Sequence, residues 1–233
     1  MHKYSTILLI GSGRLALHLK HWNNLLEKPN HLLFWDRSQS SEKLAEYLKS
    51  AALVWLAISD KAIVPFFETL LAEAGVKVIH FSGALSDPRL CCAHPLMSFP
   101  LSLLPDDSYR QICFVVEAPS ELSCAMPGFK NKFTVLSTEN KSYYHALCVL
   151  AGNFPQLLWN EIAGKMQQLH LPPEGLDLYI KQITDNYINL KDLSLTGPIA
   201  RRDFLTIDKN LDSLSESPKL KNIYSIFTKE FNS

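Results

Sequence analysis

Gly11, Ser12, Gly13, Arg14, Leu15 and Ala16 form a G-x-G-x-x-A turn directly after the apolar run Ile7-Leu8-Leu9-Ile10. That spacing can hold the pyrophosphate of a dinucleotide. Gly11 permits a tight turn, Gly13 lets the backbone approach phosphate, and Ala16 lets the next helix pack on the strand. The free N–H groups and positive dipole end of that helix then face the anion. The motif alone is weak, but here a strand precedes it, a helix follows, and an acidic residue stands about twenty positions on. That residue is Asp36, in Trp35-Asp36-Arg37-Ser38. A carboxylate there can bond the ribose hydroxyls, which argues for NAD. Arg37 and Ser38 can take a 2′-phosphate, which argues for NADP. The basic and hydroxyl pair is the stronger pointer, so NADP is the expected cofactor and NAD the alternative.

Ligands of open α/β sheets sit at the carboxyl ends of strands. The polar residues at those ends are Ser12, Ser59, Asp60, Ser82 and His94. Ile58, Ser59 and Asp60, with Ser82 and Gly83, are expected to wall the cofactor site. Ser59-Asp60 also reads as a helix N-cap, a role Ser and Asp often fill. Hydride transfer needs a positioned nicotinamide, an aligned substrate carbon and one proton donor or acceptor. The donor candidates are His94, Lys141, Tyr144 and His145. Lys141 and His145 stand four apart on one expected helix and share a face, with Asn153 further along the same side. Thr196 opens Thr196-Gly197-Pro198-Ile199-Ala200-Arg201-Arg202-Asp203. That segment reads as a hinge that closes over the nicotinamide end or orders a dimer, or as a plain turn with Asp203 capping a helix.

The elements that must position these residues alternate strand and helix, as in a parallel α/β sheet. Strands are expected at Ile7–Ile10, Leu32–Trp35, Leu53–Ile58 and Val76–Phe81, with helices over Leu15–Leu26, Ser41–Leu48 and Ala62–Ala74. The run Leu53–Ile58 is apolar throughout, the mark of a strand buried on both faces. Ala84–Asp107 is rich in Pro, Leu and Ser and carries His94-Pro95. The next strands are expected at Ile112–Glu117 and Phe133–Leu136. From Lys141 onward the spacing is helical, over Tyr144–Leu158, Gly175–Leu190, Arg202–Leu214 and Leu220–Phe231. The expected division gives a dinucleotide-binding domain over residues 1–138 and a helical domain over 139–233.

The 233 residues carry 23 basic and 23 acidic side chains, so nothing suggests a nucleic-acid surface or a polybasic membrane contact. No apolar stretch approaches the roughly 20 residues a membrane span needs. The segment Met1–Thr6 runs straight into the first strand and leaves no room for a signal peptide. Five cysteines, an odd number, with no C-x-x-C spacing fit reduced thiols and a cytoplasmic location. No metal-ligand spacing is present.

Several stretches together carry a family resemblance. They are Ile10–Ala16, Trp35–Ser38, Val54–Asp60, His80–Ser86, Ala93–Met97, Tyr144–Ala146 and Leu195–Arg201. The chain resembles bacterial Rossmann-like proteins whose carboxyl half is a domain of unknown function, a group commonly named NADP-binding oxidoreductases. Its architecture is similar to pyrroline-5-carboxylate reductase and the 6-phosphogluconate and β-hydroxyacid dehydrogenase group. The fold this implies is α/β: a Rossmann-type doubly wound, mostly parallel sheet, then an all-helical domain of the 6-phosphogluconate dehydrogenase C-terminal type. It also implies a homodimer through the helical domain and a small-molecule substrate between domains. The Ser/Thr-rich substrate loop of the pyrroline-carboxylate reductases is not found here. Lys141 and His145 fall where the hydroxyacid dehydrogenases carry a catalytic lysine, within a different motif. The expected activity is hydride transfer between NADP and a small polar metabolite, with His145, Lys141, His94 and Thr196 as catalytic candidates. The alternative is an NAD(P)-binding sensor that turns nothing over.

Overall fold

The computed structural model describes residues 6–118 and 121–231; Met1–Ser5, read above as the lead into the first strand, lie outside them. Seven strands form one sheet: β1 Thr6–Ile10, β2 His31–Trp35, β3 Leu53–Leu56, β4 Lys77–His80, β5 Cys91–Pro95, β6 Phe114–Glu117 and β7 Phe133–Leu136. Their order is β2-β1-β3-β4-β5-β6-β7. Strands β1 to β5 run parallel, β6 is antiparallel to β5, and β7 is parallel to β6. The chain steps from β1 to β2 on one side and then to β3 on the other. That reversal opens a crevice at the carboxyl ends of β1 and β3. The sheet is thus Rossmann-type and mostly parallel.

The central strands are apolar because both faces are covered. Ile7, Leu9, Trp55, Ala57, Ile79 and Phe81 point into one core, where helix α1 (Arg14–Asn24) contributes Ala16, Leu19 and Trp22. Leu8, Ile10, Val54, Leu56 and Val78 point into the other, against Leu44 of α2 (Ser41–Ser50) and Ile63 of α3 (Asp60–Phe66). The alternation of strand side chains divides one apolar run between two cores. Helix α3 contains Pro65 and continues as a π-turn over Phe67–Leu71, consistent with the hydrogen bond that proline removes.

Sequence pattern missed one strand. Cys91–Pro95 lies in the Pro-rich stretch after the fourth expected strand, yet it forms β5 in mid-sheet. It is short, carries two cysteines and a histidine, and ends in a proline, so it has none of the β-branched enrichment that marks a strand. Its pairing comes from its neighbours: Ile79 and His80 on β4, and Phe114 to Val116 on β6. Two short helices, α4 (Asp106–Gln111) and α5 (Leu122–Ala125), were also unforeseen.

After β7 all the described elements are helical. They are α6 (Thr138–Cys148) with a π-turn over Val149–Asn153, α7 (Phe154–Gln168), α8 (Pro173–Leu190), a 3-10 turn (Lys191–Ser194), α9 (Phe204–Ser213) and α10 (Pro218–Phe231). The chain divides into two compact units, Met1–Leu157 and Leu158–Ser233. In the second, Asp203 caps α9 by accepting the Thr206 amide at 3.1 Å, as the plain-turn reading of that segment expected.

The tightest constraint in the sheet is at Gly11. Its φ is +124°, and a Cβ there would lie 2.2 Å from the Ala57 carbonyl oxygen. Gly11→Ala is therefore expected to cost at least about 2 kcal/mol, from backbone strain and a clash with β3 together. Urea unfolding of the variant measures it. A loss below about 0.5 kcal/mol, the range of a bland surface change, would show that β1 and β3 are not packed this closely.

Candidate functional site

The carboxyl ends of four adjacent strands form one continuous rim. Gly11 follows β1 and touches Ala57 after β3. Asp60, at the start of α3, accepts the Ser82 hydroxyl after β4 at 2.6 Å. Gly83 then faces His94 of β5 and His145 of α6. With strands about 4.8 Å apart, three steps place His94 roughly 14 Å along the rim from Gly11.

The first part of the rim suits a phosphate. Gly13 is the N-cap of α1, its first turn holds no acidic residue, and no side chain caps it. The amides at that helix end are therefore available to an external acceptor. A Cβ placed on Gly13 meets nothing within 4 Å, so the space beside the turn is open. Ser12, Gly13 and Arg14 are exposed, and Ala16 is buried against the sheet. These residues fit a pyrophosphate. Ser59 occupies the N-cap position of α3 with no side-chain cap bond, so its exposed hydroxyl is free to face a ligand. Ile58 beside it packs against the second core.

At the end of β2 the Asp36 carboxylate turns inward. Its Oδ1 accepts the Ser38 amide at 2.9 Å and the Ser38 hydroxyl at 2.5 Å. The Ser38 hydroxyl and amide hold the Asp36 carboxyl below the usual carboxylate range. The turn thus spends the Ser38 hydroxyl on Asp36. Arg37 is exposed and forms no ion pair with any described residue.

The second part of the rim carries the titratable groups. A Cβ on Gly83 would lie 2.9 Å from His145 Cδ2 and 3.0 Å from His94 Nε2. Two imidazoles therefore close over one glycine, and only a residue without a side chain fits beneath them. His94 Nδ1 lies 2.7 Å from the Tyr144 hydroxyl. Burial, with His145 and Lys141 beside it, pushes His94 down to about 4. Burial also raises the Tyr144 phenol, so both groups are neutral near pH 7.

Lys141 shares the α6 face with His145, as its spacing predicts, but the two have different surroundings. The Lys141 side chain is 3% exposed and its Nζ lies 2.8 Å from Glu117 Oε2. Thr138 donates its hydroxyl to Glu117 Oε1 at 2.8 Å, and Ser86 donates to the same oxygen. Burial alone would raise the Glu117 carboxyl, yet the bonds from Lys141, Ser86 and Thr138 outweigh it and hold it low. Lys141 is thus locked in a buried ion pair beneath the rim. Thr196 belongs to the second compact unit, where it is exposed ahead of Gly197.

Sequence reasoning missed Glu117 and set His80 aside. His80 is fully buried on β4; its Nδ1 accepts the Ser82 amide at 3.2 Å. Its Nε2 is the one buried side-chain nitrogen or oxygen without a partner among the described residues. Burial and the nearby Lys141 charge, against Glu117, Asp60 and Asp87, push His80 down to about 4. A histidine directly after the apolar pair Val78-Ile79 and before Phe81 was the available signal. Among the described residues no cluster of His, Cys, Asp and Glu is arranged to hold a metal. No described helix is long and apolar enough to cross a membrane.

The profile of a domain of unknown function, DUF2520, matches residues 112–231. A search of the curated proteins returns no match. Among solved structures, a Bacteroides fragilis protein named "putative NADP oxidoreductase" aligns with a TM-score of 0.75 and 18% identity, covering 98% of each chain. Protein TM1727 from Thermotoga maritima aligns with a TM-score of 0.67 and 20% identity, over 97% of this chain and 96% of that one. A 1-pyrroline-5-carboxylate reductase from Streptococcus pyogenes aligns with a TM-score of 0.59 and 15% identity, over 98% of each. At such identities the likeness is one of fold.

Two predictions follow from the buried groups. Glu117→Ala leaves the Lys141 ammonium unpaired in the interior, a loss of about 3–5 kcal/mol in unfolding free energy. The double variant Glu117→Ala with Lys141→Met is expected to recover most of it; equal losses in single and double variants would show that the pair is not buried as a unit. The pH dependence follows from His80 and His94. Both are neutral in the fold down to about 4, whereas an unfolded histidine titrates near 6.5. Between those values the unfolded chain binds more protons, so stability falls as pH drops through that window and levels off below it. Melting temperatures recorded across the window should decline, and His80→Leu should flatten the decline. The same slope in that variant would show that His80 is not held neutral.

Proposed function

The chain belongs to the DUF2520 family, and from that premise and the rim geometry we propose that it is an oxidoreductase using a nicotinamide dinucleotide. The observation that carries this reading is the continuity of the rim. An uncapped helix end and an open glycine turn suited to pyrophosphate share one edge with a pair of imidazoles, three strands away. The structural relatives named for NADP oxidoreductase and pyrroline-5-carboxylate reductase activity share this fold. Bound there, the cofactor would supply hydride.

The chain's own residues divide the remaining work. The amides of Arg14, Leu15 and Ala16 bind the pyrophosphate, with Ser12 beside them. Asp36 and Arg37 meet the adenosine ribose. Arg37 favours the phosphorylated cofactor, because an exposed, unpaired guanidinium can take a 2′-phosphate bidentately. Ser59, Ser82 and Gly83 wall the nicotinamide half. Substrate hydrogen bonding falls to His94 and proton transfer to His145, whereas Lys141 holds α6 in place. The substrate is a small polar metabolite.

The active form is proposed to be a homodimer through the helical half. Leu178, Tyr179, Tyr187 and Ile188 of α8 are each more than half exposed, an apolar load that a second copy would cover.

The cofactor assignment is tested by titrating NADPH and NADH against wild type and Arg37→Ala. NADPH is expected to raise the melting temperature at millimolar concentration, since a ligand of the folded state stabilises it according to its concentration over Kd. Arg37→Ala is expected to weaken NADPH about tenfold or more, the equivalent of one lost charge-assisted contact, and to leave NADH unchanged. If neither cofactor shifts the melt, the oxidoreductase reading fails; equal weakening of both removes Arg37 from phosphate recognition.

A further inference from the structure

Tyr144 has no role in the reading above, although its position is unusual. It lies between Lys141 and His145 in sequence, on the turn of α6 that faces β5. Its hydroxyl is 2.7 Å from His94 Nδ1, and the rings meet edge to face with centroids 5.6 Å apart. The thiols of Cys148, one helical turn on, and of Cys92 on β5 are also near that hydroxyl. A thiol is a weak donor and a weak acceptor, whereas an unprotonated imidazole nitrogen is a strong acceptor. The phenol O–H is therefore donated to His94 Nδ1.

The consequence lies on the opposite side of the ring. A neutral imidazole that accepts at Nδ1 must carry its proton at Nε2. His94 Nε2 stands at the rim, 3.0 Å from where a Gly83 Cβ would be. It makes no hydrogen bond to any described residue. Since His80 Nε2 alone is both sealed from solvent and unpartnered among the described residues, the His94 nitrogen reaches water. It is an oriented N–H donor, aimed into the site and without an acceptor.

We propose that His94 serves as a neutral hydrogen-bond donor through Nε2–H, with Tyr144 as the positioning residue that sets this tautomer, and that the substrate presents a carbonyl oxygen to it. This rests on the oxidoreductase reading for the word substrate, but the tautomer does not depend on it. The ionisable groups facing His94 are His145 and Lys141 from α6 and Asp60 from α3. Burial, with His145 and the Lys141 ammonium beside it, outweighs Asp60 and disfavours imidazolium. His94 thus polarises an acceptor oxygen through a fixed N–H, and the proton that must follow the hydride is left to His145. An imine nitrogen, once protonated to take hydride, has no lone pair left to accept from this donor.

The test uses the full chain with nitrogen-15-labelled histidine and long-range proton–nitrogen correlation spectra, His94 being assigned by its loss in His94→Gln. In wild type near neutral pH, His94 is expected to show a protonated Nε2, an unprotonated Nδ1 and a titration midpoint far below 6.5. In Tyr144→Phe the ring keeps its packing but loses the donor to Nδ1. Both tautomers then become populated, and the midpoint rises by roughly half a unit to one unit, the worth of one hydrogen bond to the neutral ring. A protonated Nδ1 in wild type, a wild-type midpoint near the ordinary value, or a Tyr144→Phe spectrum unchanged from wild type would each overturn the proposal. If Tyr144→Phe fails to fold, the wild-type tautomer decides alone. Failure of both NADPH and NADH to bind would sink the oxidoreductase reading and leave these spectra unaltered, so the two failures are separable.

Discussion

The carboxylate of Glu117 closes the last buried strand before the chain turns helical, and the arrangement of the rim depends on it. It receives Lys141 and Thr138 from α6 and Ser86 from the loop after β4. Three donors from two segments meet one acid in a place with little water, where each bond is stronger than at the surface and each loss is costly. Tyr144 and His145 follow Lys141 by three and four positions, about one helical turn. Anchoring Lys141 therefore sets the height at which the phenol meets His94 and the imidazole meets Gly83. The ion pair acts on the site through helix geometry.

A second constraint works at the other end of the rim. The backbone at Gly11 is pressed onto the Ala57 carbonyl, which brings the ends of β1 and β3 together at the point where strand order reverses. Close packing there leaves the following turn exposed and the first amides of α1 unused. The two constraints have opposite characters. One excludes side chains to make room for an anion, and the other gathers side chains to make a polar cluster in a core.

Much of the first half was legible in the chain. The apolar run Ile7–Ile10 read as a strand, and Leu53–Ile58 as one buried on both faces, because helices cover both faces of a parallel sheet. The G-x-G-x-x-A spacing located the turn, and the spacing of Lys141, Tyr144 and His145 placed them on one helix. Strand β5 was not legible. Cys91–Pro95 has no strand periodicity of its own and is held by the edges that β4 and β6 offer it. With β5 went the surroundings of His94, whose partner Tyr144 stands fifty positions away. Ser38 was legible as a phosphate ligand in type, but its hydroxyl is drawn to Asp36 two positions before it, a local turn that residue type alone does not reveal.

The sequence by itself determined the dinucleotide turn, the alternation of strands and helices, the change to an all-helical second half and the types of the candidate residues. Each depends on interactions within a few positions, which spacing and residue type encode directly. Tertiary structure decided what those residues became. Lys141 and His145, neighbours on one helix face, parted because Glu117 reaches only one of them. His94 became a half-buried neutral ring because β5 inserts beside β6 beneath α6. His80 was left with an unpartnered nitrogen inside a strand. Those outcomes depend on which distant strand lies alongside and how much water remains, and burial and strand neighbours are set when the sheet closes.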